Sequence, residues 1–233
     1  MLAAKSELQF DRVQELARNI KMKVNCKKTQ ILCIHSDTSS NVTSYIRSGE
    51  TIITSGQKLK ILGFHFDSNP SAVSHVTEVI NNFYGKLWIL RFLKKSGMAS
   101  KDLLRVYFTV IRSAVEYCSI IYNPLIPQYM SDKLEQVQRQ AMRIVYGRGV
   151  DYGELLNSGE LETLKARRED ASLKFAKKAS STERFGPIWF PKNDATRTVR
   201  DSTRKTFKEK MCRTERGRNN PIQYMIRQLN EID

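Results

Sequence analysis

Lys58-Leu-Lys-Ile-Leu-Gly-Phe-His-Phe-Asp-Ser-Asn-Pro70 is the stretch on which the reading of this chain turns. Before it, short apolar runs alternate with polar residues and glycines, the period of half-buried strands. After Asn69-Pro70 the apolar residues recur every three to four positions and continue to do so, the period of helices. Strand-rich first and helix-rich afterwards, the order predicts an α+β protein rather than an alternating α/β one.

Working toward the N-terminus, Tyr45–Arg47 and Glu50–Thr54 join Lys58–Phe66 as strand candidates, with Gly49 and Gly56 as turn residues of an antiparallel meander. Ile31-Leu-Cys-Ile34 is a further short apolar run, and Met22 and Val24 alternate with lysines. Residues 7–20 carry Leu8, Val13, Leu16, Ala17 and Ile20 at helical spacing. Toward the C-terminus, Val76, Ile80, Phe83, Leu87 and Leu90 make one stripe, with Lys86, Lys94 and Lys95 mostly off it. Ser100 with Asp102 reads as an N-cap for a helix carrying Leu104, Tyr107, Phe108, Ile111 and Val115. Pro124 and Pro127 break that helix, and Leu134, Val137, Ala141 and Ile144 define the next, ended by Gly147 and Gly149. On a different face of it, Gln136, Arg139 and Arg143 line up.

One long helix is expected around 160–181, then a proline-bounded break at Phe185–Pro191. From Lys192 to Arg218 there are ten basic and four acidic residues and few large apolar groups, which predicts a partly ordered arm without a core of its own. Ile222–Ile232 is amphipathic enough to dock back. Three segments result: 1–68 with strands and one helix, 69–150 helical, and 151–233 helical with the basic arm.

The 233 residues carry 39 Lys and Arg against 24 Asp and Glu, a formal charge of +15. The excess is shared: ten basic and six acidic side chains in 1–70, eleven and five in 71–150, eighteen and thirteen in 151–233. Such a distribution suggests a long positive surface and a polyanionic partner. Four cysteines without regular spacing do not make a disulfide scaffold, and the first ten residues lack the apolar core of a secretory signal. The least charged stretch, Ser113–Met130, contains Glu116, Asn123 and two prolines and is a poor membrane span. These features lead to the expectation of a reduced intracellular protein, nuclear or cytoplasmic.

A catalytic constellation is hard to find. His35, His65 and His75 are separate, and Cys26, Cys33 and His35 match no zinc spacing; buried strand cysteines beside a surface histidine are the simpler reading. Gly147-Arg-Gly149 lacks the strand before it and the Gly-Lys-Ser/Thr after it that a phosphate cradle needs. Asn41-Val-Thr43 fits a glycosylation pattern, but an intracellular chain would not meet the transferase. No two aspartates are adjacent anywhere, and Asp11, Asp37 and Asp67 stand alone.

Taken in order, several segments resemble a known family. Met22-Lys-Val-Asn-Cys-Lys-Lys-Thr-Gln-Ile31 resembles motif D of the reverse transcriptases of non-LTR retrotransposons (LINE, jockey-like), and Leu59-Lys-Ile-Leu-Gly-Phe-His-Phe-Asp67 resembles motif E, their primer-grip hairpin. Leu87-Trp-Ile-Leu-Arg-Phe-Leu93, Val110-Ile-Arg-Ser-Ala-Val-Glu-Tyr-Cys118 and Leu134-Glu-Gln-Val-Gln-Arg-Gln-Ala-Met-Arg143 follow in the order of the thumb. Leu164-Lys-Ala-Arg-Arg168 and Arg218-Asn-Asn-Pro-Ile-Gln-Tyr224 are similar to the region beyond it.

The resemblance implies that 1–68 is part of a palm, 69–150 a thumb and 151–233 a C-terminal extension of an RNA-directed DNA polymerase. It implies Mg²⁺ for the full-length enzyme, held by carboxylates of motif A and of a Tyr/Phe-x-Asp-Asp turn in motif C, both upstream of motif D and both lacking here. The expectation is therefore no cofactor and no polymerase activity for these residues alone. Lys28, at the lysine of the family's Lys-Thr pair, is implied to protonate the leaving pyrophosphate; without the carboxylates it reduces to a surface lysine. Phosphate contacts to RNA or RNA/DNA hybrid are expected at Lys28, Lys58, Lys60, Gly63, Lys86, Arg91, Lys94, Lys95, Arg139 and Arg143, with the arm after them. Tyr84, Trp88, Tyr107 and Phe108 lie on or beside helical stripes and are assigned to the core. A competing expectation is a domesticated protein-interaction module whose helical segment binds a host protein and whose charge is incidental; separately, an exposed palm edge is expected to offer a place for a protein partner.

Overall fold

The computed structural model describes residues 2–34, 44–48, 51–68, 71–193 and 205–232. His35, Asp37, the Asn41-Val-Thr43 sequon, Gly49, Asn69-Pro70 and the middle of the Lys192–Arg218 arm lie outside the described residues. The chain forms an α+β fold with a small sheet region and a mostly helical remainder. It divides into two compact units, Met1–Ser74 and His75–Asp233.

In the first unit, α1 (Leu2–Asn19) precedes a short 3₁₀ turn, Cys26–Lys28. Met22 and Val24, despite their alternation, belong to no strand. Strands β1 (Ile31–Leu32), β2 (Tyr45–Ser48) and β3 (Thr51–Gly56) make one sheet in the order β1-β3-β2, so β1 and β2 are its outer strands. β2 and β3 pair antiparallel, as the meander predicts, but β1 joins β3 in parallel, Ile31 opposite Ser55. Helix α1 turns Glu7, Phe10, Gln14 and Ala17 inward, and the Glu7 carboxylate accepts from the Arg47 backbone N–H at 3.3 Å.

Lys58–Phe66, read as one strand run, is two: β4 (Lys58–Ile61) and β5 (Phe64–Asp67), an antiparallel pair turned at Leu62-Gly63. Both turn residues have positive φ, 49° and 84°, the backbone of the two-residue type I′ turn. Glycine adopts it freely; leucine does not, and Leu62 is 85% exposed with little burial to offset the strain. Leu62→Asn is expected to stabilise this unit by about 1 kcal/mol in denaturant unfolding, asparagine tolerating the left-handed region far better. An unchanged or lower midpoint would contradict the turn assignment.

The second unit is built on α2 (Val73–Lys95), whose buried residues His75, Val76, Ile80, Phe83, Leu87 and Leu90 include the whole expected stripe. Next come α3 (Ser100–Val106), a π-helical segment Tyr107–Arg112 and α4 (Ser113–Glu116). Leu103, Tyr107, Ile111 and Val115 are all buried at strict four-residue spacing. A regular α-helix would let that series drift, and the wider π turn keeps it on the core. Ser100 does not cap α3: its hydroxyl donates to the Val145 carbonyl at 3.1 Å.

After α5 (Ser119–Tyr122), Pro127 leads into α6 (Gln128–Tyr146), which Gly147 ends at φ 106°. The expected long helix at 160–181 is shorter, α8 (Leu164–Ser180), and α7 (Tyr152–Asn157) stands before it. Helix α8 packs on α5 and α6 and on the last helix, α11 (Pro221–Asn230), which docks back as its amphipathic pattern suggests. Between them lie α9 (Gly186–Trp189) and α10 (Glu215–Arg218).

The described parts of the basic arm are anchored on neighbouring elements. Phe207 is buried with Phe190, Met225, Ile226 and Leu229, and its N–H donates to Asn230 Oδ1 at 2.9 Å. Lys192 bridges to Phe207, and Asn193 Nδ2 donates to the Lys205 carbonyl at 2.7 Å. The arm lacks a core of its own but inserts one aromatic ring into the core of its neighbours.

Candidate nucleic-acid interface

In the first unit, Asn25 builds the turn that carries Lys28. Its side-chain oxygen accepts from the N–H groups of Lys27 and Lys28 at 3.1 and 3.3 Å, and Thr29 Oγ1 donates to its carbonyl at 3.0 Å. The Lys28 side chain is exposed. On β4, Lys58 and Lys60 alternate with Leu59 and share one exposed face. Opposite them on β5 stand Asp67 and His65, so the positive charge of Lys58 is locally balanced by a carboxylate. Gly63 forms the tip of this hairpin.

Six further candidates belong to the second unit, and their environments separate them. Lys94 Nζ donates to the carbonyls of Ile144 and Val145, at 2.6 and 3.2 Å. It thus supplies a cation to the C-terminal carbonyls of α6, where a helix dipole is negative, and holds the ends of α2 and α6 together. Lys86, half-buried, donates to the Val110 carbonyl of the π segment at 3.4 Å. The sequence marked both as phosphate ligands; each has a structural occupation instead.

Arg91, Lys95, Arg139 and Arg143 are exposed. The Arg139 guanidinium lies 5.0 Å from the centre of the Tyr152 ring. Because Lys94 bonds beside Arg143, the same end of the unit carries Lys95 and Arg143 as exposed cations.

A buried polar network fixes α6, which carries two of these cations. Tyr107 donates to Gln138 Oε1; Gln138 Nε2 donates to the Tyr152 hydroxyl at 2.8 Å and to the Glu162 carbonyl at 2.9 Å. Tyr152 donates to Glu135, whose other oxygen accepts the Leu164 N–H at 3.0 Å at the start of α8. Burial pushes the Tyr107 hydroxyl far above the usual phenol range, and burial together with Glu135 does the same to Tyr152, so both remain donors. Nearby, Glu116 takes Arg167 on both oxygens, and Arg167 also reaches Glu162 at 3.0 Å. Arg167 is thus paired with both carboxylates.

Tyr107 is core as expected and Phe108 is half-buried under the Arg112 guanidinium, 4.0 Å from its ring centre. Tyr84 and Trp88 are not core: they are 43% and 61% exposed, and Phe92 is 60% exposed. The signal was present in their spacing, since 84, 88 and 92 form a second stripe at helical period, separate from an already complete apolar one.

Cys26 and Cys33 are half-buried and take part in no disulfide, and Cys26 sits in the 3₁₀ turn, not in a strand. Among the described residues no group of three or more His, Cys, Asp or Glu side chains is arranged to hold a metal ion. Among them, too, no helix is long and apolar enough to cross a membrane. Comparison with protein-family models, with curated proteins and with solved structures finds no match for this chain.

Proposed function

We propose that these 233 residues bind RNA or RNA/DNA hybrid through phosphate contacts, as the motif D to thumb portion of a non-LTR retrotransposon reverse transcriptase. The observation that carries the reading is the run from Val79 to Lys101, with five Lys and Arg and not one Asp or Glu. Two cations of α6 extend it: Arg143, beside the carbonyls that Lys94 holds, and Arg139 one turn back. Exposed cations of this kind neutralise phosphates without reading sequence. The order of segments, motif D to thumb, and an α+β layout with strands first support the family assignment.

Catalysis is not part of the proposal. Phosphoryl transfer by two metals needs carboxylates to hold them, and the chain has no adjacent aspartates. Purified chain given a primed RNA template, deoxynucleotides and Mg²⁺ or Mn²⁺ is expected to extend nothing; template-dependent incorporation overturns this. Binding is tested by fluorescence anisotropy of a labelled RNA/DNA hybrid at low salt, with saturable binding expected and its absence overturning the reading.

One observation favours the second reading, a helical protein-interaction module. Val13 and Leu16 share an exposed face of α1, and Ile20, just past its end, is exposed too, while a different face meets the sheet. Pull-down of a stoichiometric protein partner, lost on Leu16→Glu with hybrid binding absent, would decide for it.

A further inference from the structure

We propose that Tyr84, Trp88 and Phe92 form a stacking ladder for unpaired bases, so that this surface of α2 takes single-stranded RNA or DNA. The inference rests on the nucleic-acid reading above and adds which form of nucleic acid this helix face holds. One turn of helix separates each ring from the next, about 6 Å of rise, and all three point away from the buried stripe. Trp88 and Phe92 meet edge-on with ring centres 6.3 Å apart. None of the three is needed by the core, whose α2 side is filled by Val76, Ile80, Phe83, Leu87 and Leu90.

Gly85 lies on the same surface, in the middle of a helix where glycine is an unfavourable choice. A Cβ there would meet nothing within 4 Å, so packing does not require the glycine. What its absence of side chain provides is a flat approach to the helix beside Trp88. That approach opens on a groove of about 390 Å³ lined by Asn81, Asn82, Gly85, Lys86, Trp88 and Ile111 among others. Amides at its rim have the donors and acceptors of base edges.

Charge selects the occupant. The ladder sits in the acid-free run, and Arg91 and Lys95, both exposed, have no ion-pair partner among the described residues. Exposed aromatic rings flanked by cations suit a polyanion that also carries π faces. In a duplex those faces are already stacked on one another, so only unpaired nucleotides can offer them.

The test compares wild type with the Trp88→Ala/Phe92→Ala chain on two labelled probes at equal salt: oligo(dT) of about 20 nucleotides, longer than usual site sizes, and a blunt RNA/DNA hybrid of equal length. Oligo(dT) affinity is expected to fall about tenfold or more, each lost stack contributing to the loss, while hybrid affinity and the melting temperature hold. Trp88→Phe, which keeps a ring, is expected to retain oligo(dT) binding, and Gly85→Ala to weaken it while melting no lower than wild type. Unchanged oligo(dT) affinity in the double variant overturns the inference and leaves hybrid binding standing. So does an equal loss on both probes, or a loss of self-association with oligo(dT) affinity intact, which would assign the rings to a protein contact. Wild type binding neither probe overturns the underlying reading instead.

Discussion

Gln138→Leu lowers the free energy of unfolding by about 3 kcal/mol, because it orphans the buried Tyr107 donor and takes a donor from two part-buried acceptors at once. Gln138 is fully buried, accepts from Tyr107 and donates to Tyr152 and the Glu162 carbonyl. Leucine fills similar space but answers none of these groups. The Tyr107 ring is itself fully buried, so water has no route to its abandoned hydroxyl. Adding Tyr107→Phe removes the orphan and is expected to return about 1 kcal/mol or more, against a small cost of Tyr107→Phe on the wild-type background. Chemical denaturation of the four chains measures this coupling; strict additivity would mean that the network does not join α6 to the π segment as described.

Reversing charge at Arg91, Lys95 and Arg143 together has the largest effect expected on function. The three are exposed and lie outside the polar network, so Arg91→Glu/Lys95→Glu/Arg143→Glu should fold with near wild-type stability. Each change removes a phosphate contact and adds repulsion, and the sum is a loss of hybrid affinity on the order of 100-fold or more at low salt. Lys94→Met is the instructive contrast. It removes one positive charge as well, but its ammonium holds the Ile144 and Val145 carbonyls, so its main effect falls on stability.

Much of the helical unit was legible because one period dominated. The α2 stripe from Val76 to Leu90 is buried as its spacing predicts, and on α6 Leu134, Val137 and Ala141 are too, while Ile144 is half-buried and Val145 takes the core position beside it. Periodicity says less where several partners compete. Leu62 is not a turn residue, so the β4–β5 hairpin looked like one strand to a pattern of apolar residues, although the resemblance to a primer-grip hairpin implied the turn. β1 runs parallel to β3, a pairing fixed by tertiary contact rather than by any local signal. Ser100 looked like a cap, yet its hydroxyl is taken by a carbonyl forty-five residues away.

The candidate surface was legible as charge and not as geometry. A lysine in the sequence is a cation, and only the fold shows that Lys94 and Lys86 bond to backbone carbonyls while Arg91, Lys95, Arg139 and Arg143 stay exposed. The aromatic assignment failed for a related reason. Beside a full apolar stripe, Tyr84 and Trp88 read as more of the same core, whereas the four-residue row Ile80, Tyr84, Trp88, Phe92 advances about 40° per step and so rotates off the buried face.

Phosphate binding by this surface is tested most directly by the salt dependence of hybrid binding. With about four exposed cations meeting phosphates, log affinity plotted against log salt concentration should fall with a slope of roughly −3 to −4 for wild type. Affinity then drops on the order of 100-fold between about 50 and 200 mM salt. The triple charge-reversed chain, which keeps only Arg139 of the four, should show a slope of about −1 or shallower. A flat wild-type slope, or equal slopes in the two chains, would contradict the claim that this surface binds nucleic acid through its phosphates.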